Sequence, residues 1–331
     1  MAEKKQDRLR RLATQSGVIA AVAIDQRKSL RQMIAAAAGV PLEKISDAQL
    51  ASFKSAVTRV LSPHASAVLV DHEFGRPAFT QRADTCGLLA TYEMDGYENP
   101  RPHRMLALMP DLSVRRLQEM GADGVKILLS WTPFDDPAAN AEKKVLIERI
   151  GAECAAVGLP FFLEPVGYDP GGMDPKSAEY ARIKPKIVLD SMSEFSQERY
   201  GVDVLKVEFP VNTAYVEDTP VFCGTRVWTR DEALEEFRRA DLAAGSVPYI
   251  YLSAGVSAAQ FVASLQLAID AETQFSGVLC GRATWQDGVP VFARHGAEQF
   301  EQWLQTDGVR NLAAINDRLR HASPWHCARP A

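Results

Sequence analysis

The stretch VIAAVAID, residues 18–25, has seven consecutive apolar residues and ends on a carboxylate. Similar apolar runs follow it at residues 67–71, 88–93, 124–131, 159–166, 202–210, 247–255 and 276–285. Near-continuous apolar runs of this length are typical of parallel strands that are buried on both faces of the sheet. The pattern therefore predicts eight parallel strands.

Segments with helical patterns separate these strands. They comprise the charged N-terminal residues 1–17 and residues 47–61, 113–120, 141–157, 177–200, 229–244, 258–273 and 296–319. Eight strands that alternate with helices predict an α/β fold, namely a (β/α)8 TIM barrel with an extra N-terminal helix and a single domain spanning residues 1–331. The alternative is an open doubly wound sheet, but no G-x-G-x-x-G motif follows the first strand. Residues 93–110 and 167–175 are predicted to be loops over one mouth of the barrel.

The 331 residues include 37 Lys and Arg against 42 Asp and Glu, which gives a formal net charge of −5. This balance argues against nucleic acid or a membrane surface as a partner, because both select an excess of basic residues. The five cysteines are widely spaced and form no C-x-x-C motif, which indicates reduced thiols. Because no apolar run is long enough for a signal peptide or a membrane span, the sequence predicts a cytoplasmic protein. The oligomeric state is left open, with a homo-oligomer among the alternatives.

Among the ionisable residues in the apolar strands, five stand out: Asp25, Lys126, Glu164, Lys206 and Arg282. The chemistry of a TIM barrel takes place at the C-terminal ends of its strands. Charged residues in these positions are therefore the candidates for an active site.

Lys206 lies in VDVLKVEFP, residues 202–210, where an ammonium group is expensive to bury. Burial and a nearby ammonium group, that of Lys126, both favour the neutral amine. A neutral amine can attack a ketone and form a Schiff base, which accepts electrons when the adjacent carbon–carbon bond is made or broken. The alternative is a structural ion pair with Glu208, on the same strand face, or with Asp203.

Glu164 and Asp25 each have a catalytic and a structural interpretation. Glu164 could transfer protons during carbinolamine dehydration and bond cleavage, or form a salt bridge with a lysine of the barrel. Asp25 could orient substrate hydroxyl groups or a lysine, or cap the N-terminus of the following helix. The sequence leaves both pairs of alternatives open.

The last two strands end in small residues, LSAGV at 252–256 and CGRA at 280–283. Loops in these places commonly bind phosphate through arginine and through backbone N–H groups that glycine leaves accessible. The residues predicted to bind phosphate are Ser253, Gly255, Gly281 and Arg282. Two tight turns and a solvated arginine are the alternative.

Other chemistries fit the sequence poorly. None of the six histidines belongs to an H-E-x-x-H motif or a paired-ligand spacing, so no metal site and no cofactor are predicted. The motifs of P-loop NTPases and of serine hydrolases are also missing from the sequence.

Seven motifs resemble the class I tagatose 1,6-bisphosphate aldolase family. They are AIDQRKSL (23–30), GADGVK (121–126), ERIGAEC (148–154), PFFLE (160–164), YGVDVLKVE (200–208), YLSAGV (251–256) and GVLCGRATW (277–285). The resemblance implies a metal-independent (β/α)8 enzyme that cleaves a ketohexose bisphosphate to dihydroxyacetone phosphate and glyceraldehyde 3-phosphate.

The resemblance also implies roles for individual residues. It assigns the Schiff-base lysine to Lys206, the acid/base glutamate to Glu164, the strand-four lysine to Lys126 and the strand-one aspartate to Asp25. It assigns the ketone-side phosphate loops to Ser253, Gly255, Gly281 and Arg282. Further candidates for substrate and phosphate binding are Gln26, Arg27 and Lys28.

The chain departs from the tagatose branch of this family in three places. Lys28 replaces the Gly of Asp-Gln-Arg-Gly, and VDHEFG at 70–75, which contains His72, replaces Leu-Asp-Pro-Glu-Tyr-Gly. PVGYD at 165–169, like LSPHASAVL at 61–69, is similar to sulfofructose-phosphate aldolases. The sequence predicts a tagatose 1,6-bisphosphate aldolase. The alternatives are a sulfofructose-phosphate aldolase giving dihydroxyacetone phosphate and sulfolactaldehyde, a non-catalytic sugar-phosphate sensor, and a metal-dependent aldolase or isomerase.

Overall fold

Eight parallel strands form a closed barrel in a computed structural model that describes residues 2–94 and 102–327. The strands are β1 Ile19–Ile24, β2 Ala67–Val70, β3 Gly87–Thr91, β4 Gly124–Trp131, β5 Phe161–Gly167, β6 Val204–Val207, β7 Tyr249–Leu252 and β8 Gly277–Cys280. They pair in chain order, and β8 closes the barrel by pairing with β1. The predicted TIM barrel is confirmed.

Helices surround the barrel. The α-helices of the described residues are α1 Ala2–Leu12, α2 Lys28–Ala38, α3 Asp47–Leu61, α4 His72–Gly75, α5 Val114–Glu119, α6 Pro137–Val157, α7 Ala178–Phe195, α8 Arg230–Ala243, α9 Ala258–Asp270, α10 Arg282–Trp285, α11 Val289–His295, α12 Ala297–Trp303 and α13 Val309–Arg318. None of them combines the length and the apolar character that a membrane span requires.

The helices differ from the sequence-based expectation in three ways. The apolar run 276–285 is expected to be strand throughout, but the strand ends at Cys280 and residues 282–285 form α10. Helices α2, α4 and α11 are not predicted from the sequence. The predicted helix over residues 296–319 is divided into α12 and α13 by a π-helical turn at Leu304–Gly308.

The side chains inside the barrel form their own apolar cluster. Its strand members are Ile19, Ala21, Ala23, Ala67, Leu69, Leu89, Phe162, Val204, Ile250 and Leu279. Because side chains alternate across a strand, the next inward positions toward the C-terminal ends include Asp25, Glu164 and Lys206. The apolar interior therefore gives way to a charged layer at this mouth of the barrel.

The N-terminal helix α1 covers the opposite mouth of the barrel. Its Leu9 and Leu12 belong to the interior apolar cluster, and Trp325 near the C-terminus packs against the same cluster. Lys5 donates to Asp203 Oδ2 at 2.7 Å, which fastens the helix to the segment that leads into β6. The predicted extra N-terminal helix therefore contributes to the core.

Part of the predicted loop 93–110 lies outside the described residues, namely residues 95–101. The two ends of the loop pair with each other, since Glu93 forms an antiparallel bridge with Leu108 and the N–H of Met94 donates to the Ala107 carbonyl at 2.9 Å. This pairing holds Glu93 at the mouth of the barrel.

Gly151 lies where α6 crosses the turn before β6. A Cβ atom at this residue would lie 2.0 Å from the carbonyl oxygen of Tyr200. On an open helix a glycine-to-alanine change stabilises by about 1 kcal/mol. Here we predict the opposite sign, a loss of about 1–3 kcal/mol from overpacking, because the obstacle is backbone.

Urea unfolding of Gly151→Ala measures this effect. Ala152→Ser, at the exposed neighbouring position, is the control and should stay within about 0.5 kcal/mol of the unaltered protein. A Gly151→Ala protein as stable as the unaltered one would contradict the close helix–turn contact.

Candidate active site

A cluster of charged side chains at the C-terminal mouth is centred on Lys126 of β4. Its Nζ atom donates to Asp25 Oδ2 at 2.8 Å and to Glu93 Oε1 at 2.9 Å, and lies 2.7 Å from Glu164 Oε2. The lysine is 1% exposed. Glu164 within β5 and two residues just beyond the ends of β1 and β3 therefore meet at one buried ammonium group.

Glu164 lies between two lysines. Its Oε2 atom contacts Lys126, and its Oε1 atom lies 2.7 Å from Lys206 Nζ. Both lysines are buried, so the carboxylate is shared between two ammonium groups away from bulk water. The salt-bridge interpretation of Glu164 is thus correct in geometry, and it does not conflict with proton transfer, because the contact to Lys206 is of hydrogen-bond length.

The alternative partners considered for Lys206 are engaged elsewhere. Glu208 pairs with Lys184 at 3.4 Å, and Asp203 accepts from Lys5 at the opposite end of the barrel. The structural ion pairs of Lys206 with Glu208 or Asp203 are therefore absent among the described residues. Strand β6 ends at Val207. Glu208 therefore lies outside the strand, and the alternation of side chains that suggested its pairing with Lys206 does not extend to it.

Asp25 does not cap the helix that follows it. Helix α2 begins at Lys28, its N-cap residue is Arg27, and no side chain caps it. The Asp25 carboxylate instead accepts from Lys126 through Oδ2 and from Gln26 Nε2 through Oδ1 at 3.1 Å. The capping interpretation was wrong.

Opposite charges determine the protonation of this cluster. Burial alone would raise the pKa of Asp25, but Lys126 and Lys206 hold it well below its usual value. Burial alone would lower the pKa of Lys126, but Asp25, Glu164 and Glu93 raise it well above its usual value. Lys126 is therefore a permanent cation, and Asp25 a permanent hydrogen-bond acceptor, at neutral pH.

Gln26, Arg27 and Lys28 lie beside the cluster in different environments. The Gln26 amide bonds Asp25, and its Oε1 atom is buried without a hydrogen-bond partner in the described part of the chain. Arg27 is buried and donates to the Glu93 carbonyl at 2.8 Å. Lys28 is half-buried at the first residue of α2. Substrate binding by these three residues stays a prediction.

The predicted phosphate loops lie side by side after β7 and β8. Ala254 and Gly255 both have left-handed backbone conformations, with φ of 47° and 78°. A Cβ atom at Gly255 would lie 2.5 Å from the Arg282 guanidinium carbon, so this glycine leaves room for the arginine. The N–H of Gly281 donates to Ser253 Oγ at 3.4 Å. The structure brings the four residues together, whereas their binding to phosphate stays a prediction.

A second polar cluster joins three loops at the same mouth. His103 Nδ1 lies 2.6 Å from Asp135 Oδ1, and the Tyr168 hydroxyl bonds both Asp135 and the His103 carbonyl. Burial would raise the pKa of Asp135, but hydrogen bonds from Tyr168 and His103 lower it to about 2. These bonds fasten the returning end of the β3 loop to the loops after β4 and β5.

Within residues 2–94 and 102–327, no three His, Cys, Asp or Glu side chains are grouped so that they could hold a metal ion. Three carboxylates do meet at the mouth, but they surround the Lys126 ammonium group.

Comparisons with known proteins identify the family of this chain. Residues 19–287 match the model of the DeoC/LacD family aldolases. The chain is 46% identical over 323 residues to a tagatose 1,6-diphosphate aldolase of Listeria monocytogenes serotype 4a, covering 97% of this chain and 93% of that protein. It is 45% identical to tagatose 1,6-diphosphate aldolase 1 of Enterococcus faecalis, covering 98% and 97% of the two chains. The chain belongs to the DeoC/LacD aldolase family.

The fold of this aldolase is similar to that of a more distant protein. A fructose-bisphosphate aldolase of Plasmodium falciparum, solved with TRAP and a small-molecule inhibitor, superposes with a TM-score of 0.65 over 97% of this chain and 96% of that one. The two sequences are only 13% identical, so the likeness concerns the barrel fold alone.

The sequence analysis missed Glu93 of this aldolase. Glu93 is buried, bonds Lys126, and ends the apolar run LLATYE at residues 88–93. Asp25 ends the run VIAAVAID in the same way. A carboxylate that closes a strand run was therefore a usable signal at both positions.

We predict that Lys126→Met destabilises the aldolase by about 3–5 kcal/mol at pH 8, because buried carboxylates lose their ammonium partner. The penalty should shrink at pH 5. In the unaltered protein the pKa of Asp25 is lowered, so its charge stabilises the folded state at any pH above 3.8, the ordinary pKa of an aspartate. This stabilisation is lost only as the pH falls below 3.8. In the variant, Asp25 loses one of the ammonium groups that lower its pKa while burial still opposes its charge, so its pKa rises relative to that in the unaltered protein, and protonation relieves the unpaired charge as the pH falls.

Urea unfolding at pH 8 and pH 5 measures the change. Lys144→Met is the control, because Lys144 forms a half-exposed pair with Glu194 at 2.8 Å, and it should cost less than about 1 kcal/mol at either pH. A Lys126→Met penalty independent of pH would contradict the charge assignment.

Proposed function

We propose that this protein is a Schiff-base (class I) aldolase that cleaves tagatose 1,6-bisphosphate to dihydroxyacetone phosphate and glyceraldehyde 3-phosphate. The observation that carries the proposal is the Glu164 carboxylate, which lies 2.7 Å from both Lys206 Nζ and Lys126 Nζ. A nucleophilic amine next to a proton-transfer group, which a third group holds in place, is the arrangement that covalent catalysis requires. The relatives named tagatose 1,6-diphosphate aldolase support the choice of substrate.

The first half of the reaction forms the imine. Lys206 passes a proton to Glu164 and attacks the C2 ketone of the sugar, which gives a carbinolamine. Glu164 then returns a proton to the C2 hydroxyl group, which leaves as water. The buried position of Lys206 and its contact with Glu164 support this assignment.

The second half breaks the carbon–carbon bond. Glu164 takes the proton of the C4 hydroxyl, the C3–C4 electron pair moves into the imine to give an enamine, and the aldehyde product leaves. Protonation of the enamine at C3 and hydrolysis of the imine release dihydroxyacetone phosphate. Lys126, as a permanent cation, would keep Glu164 in place between steps, and Asp25, as a permanent acceptor, would receive a substrate hydroxyl group.

The phosphate on C1 would bind between the loops after β7 and β8. The Arg282 guanidinium has no ion pair within the described ranges, 2–94 and 102–327, and lies against Gly255. It is thus available for an anion. Holding the phosphate there would orient the C3–C4 bond relative to the imine, which is the positional part of the catalysis.

Sulfofructose 1-phosphate is the second candidate substrate, favoured by PVGYD at residues 165–169. In the structure Tyr168 of this segment is buried in the second polar cluster. Cleavage rates on tagatose 1,6-bisphosphate, fructose 1,6-bisphosphate and sulfofructose 1-phosphate distinguish the candidates. Cleavage that EDTA abolishes would favour the metal-dependent alternative, and a folded protein without cleavage would favour the sensor.

We also propose a single domain over residues 1–331 and a cytoplasmic location. The closed barrel of the described residues supports the first, and five unpaired cysteines support a reducing compartment. A homo-oligomer stays an open prediction.

We predict that borohydride traps dihydroxyacetone phosphate on Lys206 and that Lys206→Met gives no adduct. Peptide mass mapping identifies the modified residue. Lys186→Met, at an exposed position of α7, is the matched control and should keep the full adduct. An adduct on another lysine, or none on the unaltered protein, would overturn the proposal.

We predict that Arg282→Gln raises the KM for the sugar bisphosphate by about 10–100-fold with a smaller effect on kcat, because a charged hydrogen bond contributes roughly 1.5–3 kcal/mol. Steady-state kinetics measure both constants. Arg294→Gln, at an exposed residue in the last turn of α11, is the control and should leave both unchanged. An unchanged KM for Arg282→Gln would place the phosphate elsewhere.

A further inference from the structure

A second buried lysine lies directly behind Asp25. Lys54 of α3 is 0% exposed, and its Nζ atom donates to the carbonyls of Ile24 and Gln26, each at 2.7 Å, and to Asp71 Oδ1. An ammonium group has three N–H donors, and all three are used here. Two of the three acceptors are the carbonyls immediately before and after Asp25 in the chain.

These bonds occur where β1 and β2 stop pairing. The register of the two strands ends at Ile24 and Val70, so the following residues have no strand ladder to fix them. Lys54 ties the end of one strand to Asp71, the residue after the other. Asp71 is itself fixed, because its Oδ2 atom accepts from the N–H of Phe74 at 2.8 Å.

Lys54 lies on the apolar face of its helix. On the buried face of α3, Lys54 follows the apolar Leu50 and Phe53 and precedes Val57. A leucine or methionine would suit this face of the helix, so its apolar packing does not explain why a charged residue is present.

We propose that Lys54, anchored by Asp71, is a positioning residue of the aldol cleavage and acts through Asp25. By holding both carbonyls that flank Asp25, it directs the Asp25 carboxylate to Lys126 at 2.8 Å and thereby fixes the cation that contacts Glu164. The inference rests on the proposed function, since it assumes that Glu164 transfers protons for Lys206. Lys54 does not touch the substrate in this proposal.

The test is the double variant Lys54→Met/Asp71→Asn. It removes both buried charges together, so no unpaired charge remains, and the asparagine side-chain oxygen can still accept from the N–H of Phe74. The matched control is Lys5→Met/Asp203→Asn, which removes a Lys–Asp pair at the opposite end of the barrel. There Asp203 likewise accepts a backbone N–H, that of Phe161 at 2.8 Å.

We expect kcat of the Lys54→Met/Asp71→Asn protein to fall about 10–100-fold, because small misplacements of reacting groups have effects of this size. The KM should change less than kcat, because the loops proposed to bind the phosphate follow β7 and β8 and only the hydroxyl contact of Asp25 would be affected. The control should keep kcat even where its unfolding midpoint falls. Equal losses of kcat in both variants, or an unchanged kcat in a folded Lys54→Met/Asp71→Asn protein, would overturn the inference.

If the double variant does not fold, the single variant Asp71→Asn tests the positioning role of Lys54. It weakens the anchor of Lys54 while the asparagine can still accept from the N–H of Phe74, so kcat should fall by a smaller factor, and KM should change less than kcat. A kcat equal to that of the unaltered protein would overturn the inference. The proposed function is tested separately. It fails if the unaltered protein forms no borohydride adduct on Lys206. If that adduct forms but the Lys54 and Asp71 variants have a normal kcat, only the positioning role is removed.

Discussion

The arrangement at the barrel mouth depends on the burial of one ammonium group, that of Lys126. Removing a lysine charge from water costs several kcal/mol unless acceptors and opposite charges replace the hydration shell. Asp25, Glu93 and Glu164 supply that replacement, each within 2.9 Å of Nζ. Because two of these carboxylates lie just beyond β1 and β3 and the third lies in β5, the burial of one cation fixes the segments after β1 and β3 relative to β5.

This constraint also determines what Glu164 can do. One of its oxygens is bound to a lysine that keeps its proton, and the other contacts Lys206. The carboxylate is thus held in place by a cation that does not exchange protons at neutral pH, while its second oxygen stays available to the amine. A carboxylate transfers protons well when it is held in place and one of its oxygens can still accept a proton. The contact of Glu164 with Lys126 holds the carboxylate, and the oxygen next to Lys206 can accept a proton.

Strand periodicity made most of the barrel and part of the site predictable from the sequence. Every second side chain of a strand faces the interior of the barrel. Phe162 and Val204 face inward, so Glu164 and Lys206, two residues later, also face inward, at the mouth. Periodicity could not decide between Glu164 and Glu208 as the partner of Lys206, because that choice depends on where β6 ends.

Lys54 was not predicted as a functional residue, for a different physical reason. It belongs to a helix outside the barrel, and only its long side chain brings the charge to the strand ends. Its signal in the sequence is a lysine on the apolar face of an amphipathic helix. Helix α10 could not be distinguished from β8 by pattern, since it follows β8 almost directly and has only four residues, three of them buried.

The distribution of positive charge corrects a simple expectation from composition. In an acidic protein that binds a sugar bisphosphate, the positive charge is expected to converge on one mouth, through Lys126, Lys206, Arg282, Arg27 and Lys28. Lys126 and Lys206 are paired with carboxylates, and Arg27 is bonded to a backbone carbonyl. A cation that already neutralises a buried carboxylate contributes little net attraction to a phosphate, so the number of basic residues overstates the positive potential at the mouth. Arg282 differs because it lies over a glycine backbone rather than a carboxylate. In the proposed function this asymmetry would orient the substrate, with its C1 phosphate at the loops after β7 and β8 and its hydroxyl groups toward the carboxylates around Lys126.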